Sequence, residues 1–203
     1  IRICLVGSEM CIRDSVIRQQ RQQMRRSIKR LKREGFRYIY VLDSPEMIEA
    51  VEIERTKLWP DLRHERGPFD VIGDIHGCFD ELKALLEALG YTINAPADRT
   101  ESFEVVPPKD RRVIFLGDLV DRGPKSPDVL HLVMDMVAAR QAICVPGNHD
   151  VKLVRQLQGR KVQLKHGLAE SVAQLAAQPP EFSERVLAFL DGLVSHYVLD
   201  EGK

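Results

Sequence analysis

The chain has 203 residues, of which 44% are hydrophobic and 30% charged, with 30 basic side chains against 30 acidic ones. This composition fits a globular protein and excludes a disordered chain, and the zero net charge selects neither an acidic nor a basic partner. No apolar run approaches the roughly 20 residues needed to cross a bilayer, and Ile1 to Ser15 lacks the basic start, apolar core and cleavage site of a signal peptide. Two of the four cysteines, Cys78 and Cys144, sit in apolar, strand-like surroundings, and the cysteine spacing suits neither a zinc site nor a disulfide framework. A cytoplasmic setting with reduced thiols and no membrane partner is therefore expected.

Taken in chain order, residues 1–15 stand apart. Cys4 to Ser15 reads CLVGSEMCIRDS, which has no helical or strand period and is the translation of a sequencing-library transposon adapter. It is set outside the fold. Val16 to Glu34 carries eight basic residues and one acidic residue, favours helix, and meets a stop at Gly35. Its charge fits a solvated helix face or a surface for phosphate or nucleic acid. Phe36 to Leu42 (FRYIYVL) is aromatic and β-branched and predicts a strand, as does Ala50 to Thr56. Ser44-Pro45 opens a short helix between them. Lys57 to Pro68 (KLWPDLRHERGP) has the prolines, glycine and charges of a linker, and a domain boundary is placed there.

Beyond the linker one pattern occurs three times. Phe69 to Ile72 is a short apolar run ending in Gly73-Asp74-Ile75-His76-Gly77. Arg112 to Leu116 ends in Gly117-Asp118-Leu119-Val120-Asp121-Arg122-Gly123, and Ala142 to Val145 in Pro146-Gly147-Asn148-His149-Asp150. A helix lies in each interval. Phe79, Leu82, Leu85, Leu86 and Leu89 share one helical face, and Val129, Leu130, Val133, Met136 and Val137 another, with Ser126 expected as N-cap and Pro127 in the first turn. The β-α-β-α-β order predicts parallel strands buried on both faces, with all three polar turns at the carboxyl edge of one sheet.

Those turns bring together carboxylates, an imidazole and an amide oxygen, a donor set suited to Mn²⁺, Fe or Zn. Residues two apart point the same way from an extended backbone, so Asp74 and His76 can serve one metal. Two adjacent metals clamp a phosphoryl group and activate water. His166 and His196 are further histidines that could approach such a site. His131 is expected to be structural.

The ordered motifs G-D-x-H-G, G-D-x-V-D-R-G and G-N-H-D resemble the calcineurin-like metallophosphoesterases. That resemblance implies an α/β fold with a β-sandwich flanked by helices. It implies that Asp74 and His76 hold the first metal, Asp118 bridges both, and Asn148 holds the second. It also implies that Arg122 binds phosphate oxygens, His149 protonates the leaving oxygen and Asp121 orients His149.

A narrower resemblance covers roughly Gln19 to Lys203: GFRYIYVLDSPE, AVEIERTKLWPDLR, GPFDVIGDIHGC and FLDGLVSHYVLDEGK are similar to bacterial polynucleotide kinase-phosphatase. It implies that residues 16–66 are the tail of a P-loop kinase module and that 67–203 are a phosphoesterase domain incomplete on its C-terminal side. The expected substrates are RNA 2′-, 3′- or 2′,3′-cyclic phosphate ends, with two Mn²⁺ ions as cofactors and Ni²⁺ as the alternative. ATP serves only the kinase core, which the chain lacks because it has no G-x-x-x-x-G-K-[ST] loop. An RNA-end methyltransferase and a second copy of the chain are the expected partners of the full-length parent. In that family later H-A-G and G-H-T motifs supply histidines to the second metal, and neither occurs here, so the chain as written is expected to be weakly active. Two alternatives are carried: a free-standing serine/threonine-protein phosphatase or diadenosine tetraphosphatase, and a non-catalytic fragment binding metal or RNA.

Overall fold

In the computed structural model the described residues are 14–31, 38–97 and 101–202. The chain divides into two compact units, residues 1–56 and 57–203. In the first unit, helix α1 (Asp14–Leu31) exposes every side chain from Val16 to Ser27, as a helix with basic residues on most of its faces must. Helix α2 (Pro45–Ala50) begins where the Ser44 hydroxyl accepts the Met47 backbone N–H at 3.2 Å.

Among the described residues, the two strands expected in this unit do not form. Residues 38–43 and 51–56 have no ladder partner, and Tyr38 and Tyr40 are 73% and 85% exposed. Aromatic and β-branched residues favour a strand only where a neighbour completes the backbone hydrogen bonds, and the described residues provide none. Most of the adapter-like segment, residues 1–13, lies outside the described residues, as does the Gly35 stop. Among the described residues no helix is long and apolar enough to cross a membrane.

The second unit is built on strands β1 (Phe69–Ile72), β4 (Arg112–Phe115) and β5 (Ala142–Cys144), paired in parallel in the order β1-β4-β5. Helix α3 (Phe79–Ala88) and a short antiparallel pair, β2 (Thr92–Asn94) with β3 (Glu104–Val106), fill the first crossover. Helix α4 (Ser126–Ala138) fills the second, and α5 (Asn148–Leu157), α6 (Leu168–Ala176) and α7 (Pro180–Gly192) follow β5. The β2–β3 pair escapes sequence reading because three-residue strands are too short to show alternation.

Register aligns Ile72 with Phe115 and Phe115 with Cys144, and this face joins the helices in one apolar core. The opposite face is barer than parallel strands predict: Val71 is 59% exposed. On β5, however, Ile143 of that same face is buried.

Helix α4 shows the reverse departure. Beyond the expected stripe, His131, Leu132 and Met134 are also buried, because α4 touches β5, α3 and α6. Ser126 is not its N-cap but its first residue, and the buried hydroxyl faces Ser171 at 3.3 Å instead of the helix start.

At the foot of β1 the buried Asp70 carboxylate accepts the Tyr91 hydroxyl at 2.8 Å and pairs with Arg111. Burial, and then the neighbouring Asp70, holds the Tyr91 phenol well above its usual pKa, so it remains a donor.

Phe115 is fully buried at the centre of the sheet. Phe115→Ala is expected to cost about 3–5 kcal/mol. The urea midpoint of unfolding should fall accordingly, with little change in its slope.

Candidate active site

The turns after β1, β4 and β5 meet at the carboxyl edge of the sheet. They place five non-glycine residues at positive φ: Asp74 (53°), His76 (49°), Asp118 (51°), Asp121 (74°) and Arg122 (70°). Each costs roughly 1–2 kcal/mol relative to ordinary backbone, so the surrounding structure must hold it. Cross-turn hydrogen bonds do this. His76 N–H donates to the Asp118 carbonyl, Gly77 N–H to the Leu119 carbonyl and Gly123 N–H to the His76 carbonyl, all at 2.8 Å. Gly117 (φ 78°) packs so tightly on Gly147 that a side chain at either position would collide, at Gly147 with the Asp118 carboxylate.

This packing gathers most of the residues expected from sequence. One ligand atom from each of His76, Asp118 and His149 lies within 4.8 Å of the others. His76 and His149 are buried and meet edge-to-face, with ring centroids 4.8 Å apart. His76 Nδ1 lies 3.0 Å from the Val120 carbonyl, which fixes the ring and directs Nε2 to the other side. The Asp74 carboxylate is 3.7 Å from His76 Nε2 and 85% exposed, at the rim rather than in the cluster. Asp118 Oδ1 accepts the His149 backbone N–H at 3.0 Å.

Asp121 is fully buried, and its Oδ2 lies 2.6 Å from His149 Nδ1. Its Oδ1 is buried without a hydrogen-bond partner among the described residues. The carboxylate makes Nδ1 a protonated nitrogen, which leaves Nε2 to bind a metal in the neutral ring or to donate a proton in the imidazolium. Arg122 and Asn148 are exposed at the mouth. His166 and His196 are exposed too, and neither joins the cluster. His131 lies in the core, 3.2 Å from Asp135, and does not join the cluster.

Asp150 has a structural role that its place as the last letter of G-N-H-D does not reveal. Its two oxygens accept Leu119 N–H at 3.0 Å and Gly147 N–H at 2.8 Å, which latches the turn after β4 to the turn after β5. Burial raises its pKa from 3.8 to about 6, against the lowering effect of these backbone donors, and Asp118 raises it further. The folded state therefore holds a proton that the unfolded chain has released between those values. In chelator-treated protein, the contribution of Asp150 to stability should fall as pH rises from about 4 to about 6 and level off above. Denaturation at stepped pH should show this slope, and Asp150→Asn should flatten it.

The family profile described as calcineurin-like phosphoesterase matches residues 67–199. The asymmetrical bis(5′-nucleosyl)-tetraphosphatase PrpE of Halalkalibacterium halodurans is 48% identical over 120 residues, covering 59% of this chain and 46% of its own. Its counterpart from Geobacillus thermodenitrificans is 41% identical over 138 residues, covering 66% of this chain and 54% of its own. The chain thus spans about half the length of the curated relatives it matches.

These relatives correct two expectations. The likeness to polynucleotide kinase-phosphatase gives way to bis(5′-nucleosyl)-tetraphosphatases, and with it falls the reading of an RNA-end phosphatase using residues 16–66 as a kinase tail. The physical reason is that the three motifs build turns, metal donors and a phosphate clamp. None of these distinguishes an RNA end from a nucleotide anhydride. With its profile match and the three motif turns at one sheet edge, the chain belongs to the calcineurin-like phosphoesterase family.

Proposed function

We propose that this protein is a metal-dependent hydrolase of bis(5′-nucleosyl) tetraphosphates that cuts the bridge asymmetrically, into a nucleoside triphosphate and a nucleoside monophosphate. The observation that carries this reading is the 48% identity to a tetraphosphatase over 120 residues, a stretch long enough to reach well beyond the motifs. The site geometry agrees with it.

Family membership implies divalent metal ions, and the donors fit them: the His76 imidazole and the Asp118 carboxylate lie within 4.8 Å of each other, with Asp74 at the rim. Asp74, His76 and Asp118 would hold one ion, and Asp118 with Asn148 the other. Mixed nitrogen and oxygen donors favour Mn²⁺ over Mg²⁺ or Ca²⁺. Such ions withdraw electron density from the phosphorus under attack and offset the charge that grows on its oxygens.

The remaining work falls to the protein. Arg122, exposed at the mouth, offers a planar fork of donors to the phosphate chain and orients it. Asp121 accepts from His149 Nδ1 and offsets the charge of the imidazolium, whose Nε2 proton goes to the leaving oxygen, returning the ring to its neutral form. Burial of His149 and Asp121 keeps water from competing for their hydrogen bond.

The test is to incubate the protein with bis(5′-adenosyl) tetraphosphate and Mn²⁺ and separate the products. ATP and AMP in equal amounts are expected. Two ADP molecules, or turnover of phosphopeptide in preference to the dinucleotide, would refute the reading. Arg122→Lys keeps the charge but loses the fork, and should lower turnover by at least roughly tenfold with bound metal near the parent value. Metal analysis beside the kinetics separates this from a structural role.

A further inference from the structure

The Asp121–Arg122 turn is braced by a helix that contains none of the three motifs. Asp121 makes one side-chain hydrogen bond, to His149, and its other oxygen has no partner among the described residues, so its placement depends on its backbone. That backbone is held from α6. The Ser171 hydroxyl accepts Asp121 N–H at 2.8 Å. The Gln174 amide spans the rest of the loop, donating from Nε2 to the Gly123 carbonyl at 3.0 Å and accepting Ser126 N–H on Oε1 at 2.8 Å. Ser171 and Gln174, three residues apart, share one helix face. Just before them, Gly167 lies so close that a side chain there would overlap the Arg122 backbone nitrogen.

Ser171 is fully buried in mid-helix, where a serine hydroxyl ordinarily bonds back to its own helix. Here its partners, Asp121 and Ser126, lie outside α6. Two successive non-glycine residues at positive φ would relax without such support.

We propose that Ser171 and Gln174 are positioning residues of the active site: they fix the Asp121–Gly123 backbone, and through it the Asp121 carboxylate that orients His149. The proposal rests on His149 acting with Asp121 as described above, and not on which nucleotide is the substrate.

The test uses the full chain with Mn²⁺ replaced by diamagnetic Zn²⁺ for spectroscopy. The His149 Nδ1 proton is identified as the downfield imidazole signal that disappears in His149→Gln. Ser171→Ala and Gln174→Leu should shift or broaden it, whereas Ser171→Thr, which keeps the hydroxyl, should leave it in place. Circular dichroism and metal content should match the parent. With Mn²⁺, turnover of an alkyl phosphate ester should fall at least about tenfold, and that of p-nitrophenyl phosphate much less, because p-nitrophenolate departs without a proton.

An unmoved His149 signal in folded Ser171→Ala and Gln174→Leu overturns the proposal, as does equal loss on both esters. If Ser171→Ala fails to fold, Gln174→Leu decides, since its side chain is only half-buried. If the parent cleaves neither ester, the spectrum alone decides on the brace, and the dinucleotide assay decides separately on the hydrolase reading.

Discussion

Left-handed backbone at the ends of β1 and β4, two of the three parallel strands, is the constraint on which this site depends. Asp74, His76, Asp118, Asp121 and Arg122 all carry positive φ, and each resists it. The turns are stable because each supplies hydrogen bonds to the next. The turn after β1 bonds to that after β4 through His76, Gly77 and Gly123, and Asp150 ties the turn after β4 to that after β5. The parallel sheet makes this possible by delivering all three turns to one edge at fixed spacing. Lose that spacing and the cross-turn bonds go with it.

The site divides into a buried and an exposed half, and the division suits the chemistry proposed for it. His76, His149 and Asp121 lie inside, where a low dielectric strengthens the His149–Asp121 bond and fixes both rings. Asp74, Arg122 and Asn148 stand at the mouth, where a polyphosphate can reach them. A strongly charged substrate keeps part of its hydration until the donors replace it, and the buried pair need not move to meet it.

The relatives displace the RNA-end reading, which the motifs alone could not have done. G-D-x-H-G, G-D-x-V-D-R-G and G-N-H-D prescribe turn shape, donors and a phosphate clamp, which any phosphoester or phosphoanhydride requires. Selection between a ribose end and a nucleotide falls to surfaces around the mouth. The flanking FRYIYVLDSPE segment supplied composition without partners, and its described residues form no strand.

The sequence by itself determined the order of parallel strands and helices, the three turns and the identity of the residues in them. These follow from local rules: apolar runs of strand length, a helical period between them, glycines where the backbone must turn. Only the tertiary structure decided the rest. It put His149 Nδ1 against Asp121, left Asp74 at the rim, made Asp150 a latch, and brought Ser171 and Gln174 from α6 against a loop some 50 residues earlier in the chain (|i−j| of 50 and 51). Such contacts have no local signature, because a serine and a glutamine three apart on a helix look like any polar face until the fold chooses what that face meets.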